Sequence, residues 1–163
     1  MKKAFDPSLL ERGDCVLYRP EDIFGAIIAV KTWTKVCHVE VFAGFGYSYA
    51  SRNGIGVGAY PLRKDGVAAI LRPTQPLDWR KAEDWFLSTA KGQKYDWKGL
   101  LCFALAVKQG SKDRMFCSEF STRFYRKAGL PLFPLWWDAD RTPPSLMLAT
   151  NGLNLIWDDG ELW

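Results

Sequence analysis

Val36-Cys37-His38-Val39-Glu40-Val41-Phe42-Ala43, followed by Gly44-Phe45-Gly46 and Tyr47-Ser48-Tyr49-Ala50-Ser51, is the stretch on which the fold turns. β-Branched and aromatic residues flank a glycine-bracketed turn. This predicts a hairpin, with 36–43 as its first strand and 47–51 as the return strand. Side chains alternate along a strand. His38, Glu40 and Phe42 therefore share one face, while Cys37, Val39 and Val41 share the other. Asn53-Gly54 marks the next turn, and residues 55–60 and 67–72 predict two more strands, closed by Pro73 and Pro76. Upstream, Gly13-Asp14 is turn material before a short strand, Cys15-Val16-Leu17-Tyr18, which ends at Arg19-Pro20.

On either side of this block the pattern changes. Residues 23–33 are apolar and admit a short helix, although their periodicity does not separate helix from buried strand. From Leu77 a helical period sets in through Ala82, Trp85, Phe86 and Thr89, ending near Lys91-Gly92. A second helix is predicted over 97–107, a loop over 109–113, and a third helix over 116–128. In that third helix Phe120, Phe124 and Ala128 form one stripe, and Gly129 suits the position after the helix end. The segment 131–144, rich in Pro and Trp, is expected to wrap the surface, and 153–157 to add an edge strand. Strands first and helices second predict an α+β fold: an antiparallel sheet or barrel packed against about three helices. There are no internal repeats, and residues 1–163 read as a single domain.

Composition excludes several classes. The chain has 163 residues, 48% of them hydrophobic and 15% aromatic, with eight Trp, so it can bury a core and is not a disordered chain. Its net charge of +4 is scattered, without a basic stripe or aromatic–basic interleaving. It reads as a solvated surface and predicts no specific nucleic-acid partner. Cys15, Cys37, Cys102 and Cys117 lack the short paired spacing of a zinc site, so no metal is expected. Apart from Cys117 they read as buried thiols, suited to a reducing compartment. No apolar stretch follows the charged start at Met1-Lys2-Lys3, which argues against a signal peptide. The apolar runs near 23–30 and 100–107 are too short for a transmembrane helix. The expected location is cytoplasmic, with export by another route left open.

Chemistry enters through two residues. His38 is the only histidine of the chain, and it stands on a predicted strand. Cys117 lies in the first turn of the third predicted helix. There the partial positive charge of the helix start favours thiolate, and backbone N–H groups lack intrahelical acceptors. A thiolate and an imidazole are the two parts of a cysteine nucleophile. Cys37, adjacent to His38, points to the opposite face and is a poor nucleophile. A third group should orient the imidazole. Tyr49 and Ser51, on one face of the return strand, rank first and equal. Glu40 ranks third, because two residues along a strand span about 7 Å, far for a direct bond to the ring.

The residues quoted so far resemble those of the circularly permuted NlpC-type papain-like proteins, among them the YiiX-like and lecithin:retinol acyltransferase-like groups. The front half of the resemblance is carried by Gly13-Asp14-Cys15-Val16-Leu17-Tyr18, by His38-Val39-Glu40-Val41 with Gly44, and by Tyr49-Ala50-Ser51 with Gly54-Ile55-Gly56-Val57. Tyr95-Asp96-Trp97, Phe116-Cys117-Ser118-Glu119-Phe120 and Thr142-Pro143-Pro144-Ser145-Leu146 are similar to the back half. The order, His first and Cys later, is its most telling part. The resemblance implies a papain-like core with Cys117 as nucleophile, His38 as base, and Tyr95 and Asp14 near the cleft. The family's third polar residue falls downstream of its first His, where this chain offers Tyr49, Ala50 and Ser51, so the orienting group stays open. The implied activity is that of a cysteine peptidase or amidase working through a thioester, without metal or organic cofactor. A peptide, a cell-wall cross-link or an acyl lipid is the implied substrate. The alternatives are a lipid acyltransferase or phospholipase of the same fold, and a non-catalytic binding or structural module that keeps it.

Overall fold

The computed structural model describes residues 3–20, 26, 34–96 and 114–162. The segment 23–33, which admits a helix, lies outside the described residues except for Ala26, as do the helix expected over 97–107, the loop over 109–113, and Cys102.

The fold is α+β, built on a six-stranded antiparallel sheet. Its strands are β1 (Cys15–Tyr18), β2 (His38–Gly44), β3 (Tyr47–Arg52), β4 (Gly56–Pro61), β5 (Val67–Pro73) and β8 (Leu153–Asp158), in the spatial order β4-β3-β2-β1-β5-β8. The turn between β2 and β3 runs through left-handed backbone at Gly44, Phe45 and Gly46, with φ of 93°, 51° and 77°. Glycine supplies two of those three positions without a Cβ penalty. A β-bulge between Phe42 and Gly44 shifts the register of this hairpin, so that Val41 faces Tyr49 and Phe42 faces Ser48.

Each face of the sheet is covered. Cys15 and Leu17 of β1, with Val39 and Val41 of β2, pack into the larger core beside the helices. Val16, Tyr18 and Phe42 point the other way, into a smaller core with Val67, Ile70, Leu62 and Trp157. Alternation thus places Glu40 on the side of Tyr18, with His38 at the very start of β2.

Helix α1 (Trp79–Trp85) begins at Asp78, whose carboxylate accepts the Lys81 backbone N–H at 3.2 Å. The helix then widens into a π-helical turn over Phe86–Ala90. Lys94–Tyr95 (β6) and Arg114–Met115 (β7) form a small parallel pair that feeds the longest described helix, α2 (Cys117–Lys127). Gly129 follows that helix with φ of 82°, and the Leu130 N–H returns to the Tyr125 carbonyl at 2.9 Å. This closure satisfies the last turn. Cys117, Phe120 and Phe124 recur at helical spacing and are all buried against the sheet. Each buried ring contributes about 1.5–3 kcal/mol relative to exposure. The stripe that anchors the helix also turns the Cys117 thiol inward. The segment after α2 carries short 3-10 turns at Ala139–Arg141 and Pro144–Ala149. No helix among the described residues is long and apolar enough to cross a membrane.

Candidate active site

β2 and α2 begin at the same end of the molecule. His38 is the first residue of β2, and Cys117 is the first of α2. Cys117 Sγ lies 4.0 Å from the carbonyl oxygen of Cys37, directly before His38 in the chain. The Cys117 sulfur and the His38 ring stand close enough for each to shift the ionisation of the other. Backbone groups of Val39 and Ser118 favour the ionised sulfur.

Glu40 meets the other side of the ring. His38 Nε2 is 3.1 Å from Glu40 Oε1. An ionised carboxylate can only accept, so Nε2 carries a proton and Nδ1 is the nitrogen left for the thiol. Glu40 is completely buried. Arg52 donates to both of its oxygens, Nε to Oε1 at 2.8 Å and a terminal nitrogen to Oε2 at 3.1 Å. Arg63 Nε stands 3.9 Å from Oε1, and the Tyr18 hydroxyl lies 3.5 Å from Oε2. Tyr18 is itself buried and lies beside His38, with ring centroids 5.8 Å apart.

The charges of this cluster support one another. Burial by itself would raise the Glu40 carboxyl, but His38 and Arg52 outweigh it and hold the group down at about 2. Burial likewise disfavours a charged His38. The Cys117 sulfur and the Glu40 carboxylate overcome this and raise the ring to about 9. The Cys117 thiol is lowered: burial opposes ionisation, and the His38 cation with the backbone donors of Val39 and Ser118 reverses it. A thiolate–imidazolium pair with a buried, ionised carboxylate behind it is the direction all three shifts share. Cys15, by contrast, is pushed far up by burial and stays a thiol.

The remaining residues singled out from the sequence are elsewhere. Tyr49 donates to Glu83 at 2.6 Å and stacks on Phe86, with centroids 4.1 Å apart. Ser51 donates to the Met115 carbonyl at 2.5 Å. Neither orients the imidazole, and the bulge between Phe42 and Gly44 is the reason. It pairs Tyr49 with Val41, on the helix-side face, and gives the His38 side to Arg52. Glu40 takes the place expected of them, since its long side chain bridges the distance between neighbours on one strand face. Asp14 is also not at this end. It precedes β1, whereas His38 pairs with Tyr18 at the end of β1. Its carboxylate binds Arg72 at 2.9 Å, beside a cavity of about 360 Å³ that Arg12 and Trp79 help to line. Tyr95 pairs with Met115, two residues before Cys117, and is buried.

Tyr18, Arg52 and Arg63 are parts of the site that sequence reasoning missed. Arg52 was hidden by the bulge, because only the shifted register brings it to the His38 side of the hairpin. Arg63 could not be found from the sequence, since it reaches the site from the loop between β4 and β5. The chain matches no known protein-family pattern, and none of the curated proteins matches it.

Proposed function

We propose that this chain is a thiol hydrolase of the circularly permuted papain-like kind, cleaving a peptide or other amide bond. One observation supports the reading most. The lone imidazole of the chain is coupled electrostatically to a helix-start cysteine and meets, through Nε2 at 3.1 Å, a buried, ionised carboxylate.

In this mechanism the Cys117 thiolate attacks the substrate carbonyl and forms a C–S bond. The oxyanion is held by the backbone N–H at the start of α2, where no side chain caps the helix. The His38 imidazolium gives its proton to the departing amine as the C–N bond breaks, leaving a thioester. Water then loses a proton to His38 and attacks the thioester. The acid is released, and the thiolate–imidazolium pair is restored. Glu40 touches only the imidazole and acts as its positioning residue.

A lipid ester is the second substrate class. Leu135 and Trp136 are adjacent and largely exposed, at 73% and 78%, as a surface meeting acyl chains requires. The test is to incubate the protein with peptide amides, peptidoglycan fragments and phospholipid vesicles, and to follow acyl addition by intact mass. The proposal expects an adduct on Cys117, absent from Cys117→Ala, with peptide or cell-wall substrates. An adduct formed only with phospholipid moves the activity to lipids. No adduct on Cys117 with any of them removes the enzyme reading and leaves a binding module.

A further inference from the structure

We infer that Arg52 is a positioning residue of this site, acting on His38 through Glu40 and held in place by strand β4. The inference rests on the proposed thiol chemistry for its effect on rate, and on geometry alone for its effect on the imidazole.

A glutamate on a strand has several rotamers, and Glu40 must keep one of them to place Oε1 on His38 Nε2. Arg52 is what fixes it. Its Nε and one terminal nitrogen engage both carboxylate oxygens, at 2.8 and 3.1 Å, which sets the plane of the carboxylate as well as its position. The oxygen that takes Arg52 Nε is the same Oε1 that faces the imidazole. The guanidinium is in turn gripped from β4. It donates to the Pro61 carbonyl at 2.9 Å and lies over the Tyr60 ring, 4.6 Å from its centroid. Tyr60 is tied back by its hydroxyl to the Gly56 carbonyl at 2.7 Å. Gly56 holds φ of 101°, and a Cβ there would collide with the Gln93 carbonyl. The chain of contacts therefore runs from a glycine that has no room for a side chain, through Tyr60 and Arg52, to Glu40 and His38.

A lysine at position 52 would keep the charge and lose the fork, because an ammonium is a point donor and cannot set the plane of a carboxylate. Charge and geometry can thus be separated. The other charged or titratable groups facing Glu40 are His38, Tyr18, Tyr60 and Arg63. Cys117 faces His38.

The experiment uses the full chain labelled with ¹⁵N-histidine. His38 is the only histidine, so its two ring nitrogens report without assignment. Spectra are taken above the pKa of the ring, where the neutral imidazole shows its tautomer. Wild type is expected to hold the proton on Nε2 alone. Arg52→Met and Arg52→Lys are both expected to give a mixture of tautomers. Both should slow acylation of Cys117 by a reactive ester about 10- to 100-fold, as when a group orienting a metal-bound imidazole is lost. Tyr60→Leu, which leaves the Glu40 contacts in place, should give a smaller change in the same direction and carries the test if Arg52→Met does not fold. A single Nε2 tautomer retained in folded Arg52→Met, or in both Arg52→Lys and Tyr60→Leu, overturns the inference. Wild-type behaviour of Arg52→Lys beside a tautomer mixture in Arg52→Met also overturns it, because charge alone would then suffice. Failure of wild-type Cys117 to acylate strikes the proposed function, and the tautomer spectra still decide the role of Arg52.

Discussion

Replacing Glu40 with Gln removes one charge from the centre of the site and almost no volume. Glu40 is fully buried and serves His38, Arg52, Arg63 and Tyr18. Removing one partner of a buried ion pair costs about 3–5 kcal/mol. Arg52 and Arg63 keep side-chain exposures of 19% and 29%, so water can relieve them in part, and the low end, about 3 kcal/mol, is expected. The pH dependence has a definite sign. Glu40 is held at about 2, below its ordinary 4.5. Its contribution is therefore complete above the ordinary value and is lost as pH falls through about 2. The stability gap between wild type and Glu40→Gln in urea should be full at neutral pH and close under acid. The same change acts on the proposed thiol chemistry. A hydrogen bond to a charged group is worth about 1.5–3 kcal/mol, and one pKa unit about 1.4, so the imidazolium should weaken by about one to two units. His38 stands at about 9 in the intact site. In stopped-flow acylation with an anilide probe, whose leaving group needs a proton, the alkaline limb should move down by that amount. A folded Glu40→Gln protein with an unmoved alkaline limb would refute the linkage of Glu40 to the imidazole.

Two further outcomes follow from neighbouring groups. Cys117→Ala should lose labelling by a thiol-directed acyl probe, while Cys37→Ala and Cys15→Ala should keep it. Equal labelling of all three in intact-mass spectra would remove Cys117 from its role. Glu119, two residues beyond Cys117 and buried, is raised to about 7 by burial, against the pull of Arg123. A carboxyl raised in the folded state favours folding at low pH, and that contribution is lost as pH rises from about 4.5 through about 7. Glu119→Gln should therefore be the more stable protein at pH 8 by about 1–3 kcal/mol, with the gain vanishing under acid. A thermal melt showing the reverse order at pH 8 would contradict this.

Much of the fold could be read from the sequence because strand alternation, glycine turns and the Phe120/Phe124 stripe are local signals. The helix start at Cys117 followed from the same stripe. What could not be read was one register. The turn at Gly44-Phe45-Gly46 announces a hairpin, but the bulge beside it leaves no mark that composition reveals, and a one-residue slip exchanges the faces of a strand. That slip separates an imidazole oriented by Tyr49 or Ser51 from one oriented by Glu40 with Arg52 behind it. The parallel pair of Lys94–Tyr95 with Arg114–Met115 escaped for a different reason. Two residues are too few to show a period, and the partner is distant in sequence. Asp14 was placed near the cleft by likeness alone, and β1 carries the chain away from it before His38 is reached.

The pairing of sulfur and imidazole is tested most directly by titrating the single histidine by NMR in wild type and in Cys117→Ala. The account predicts a wild-type midpoint near 9, and a clear fall once the sulfur is gone. A wild-type midpoint at the ordinary histidine value of 6.5, or one that Cys117→Ala leaves unchanged, would contradict it.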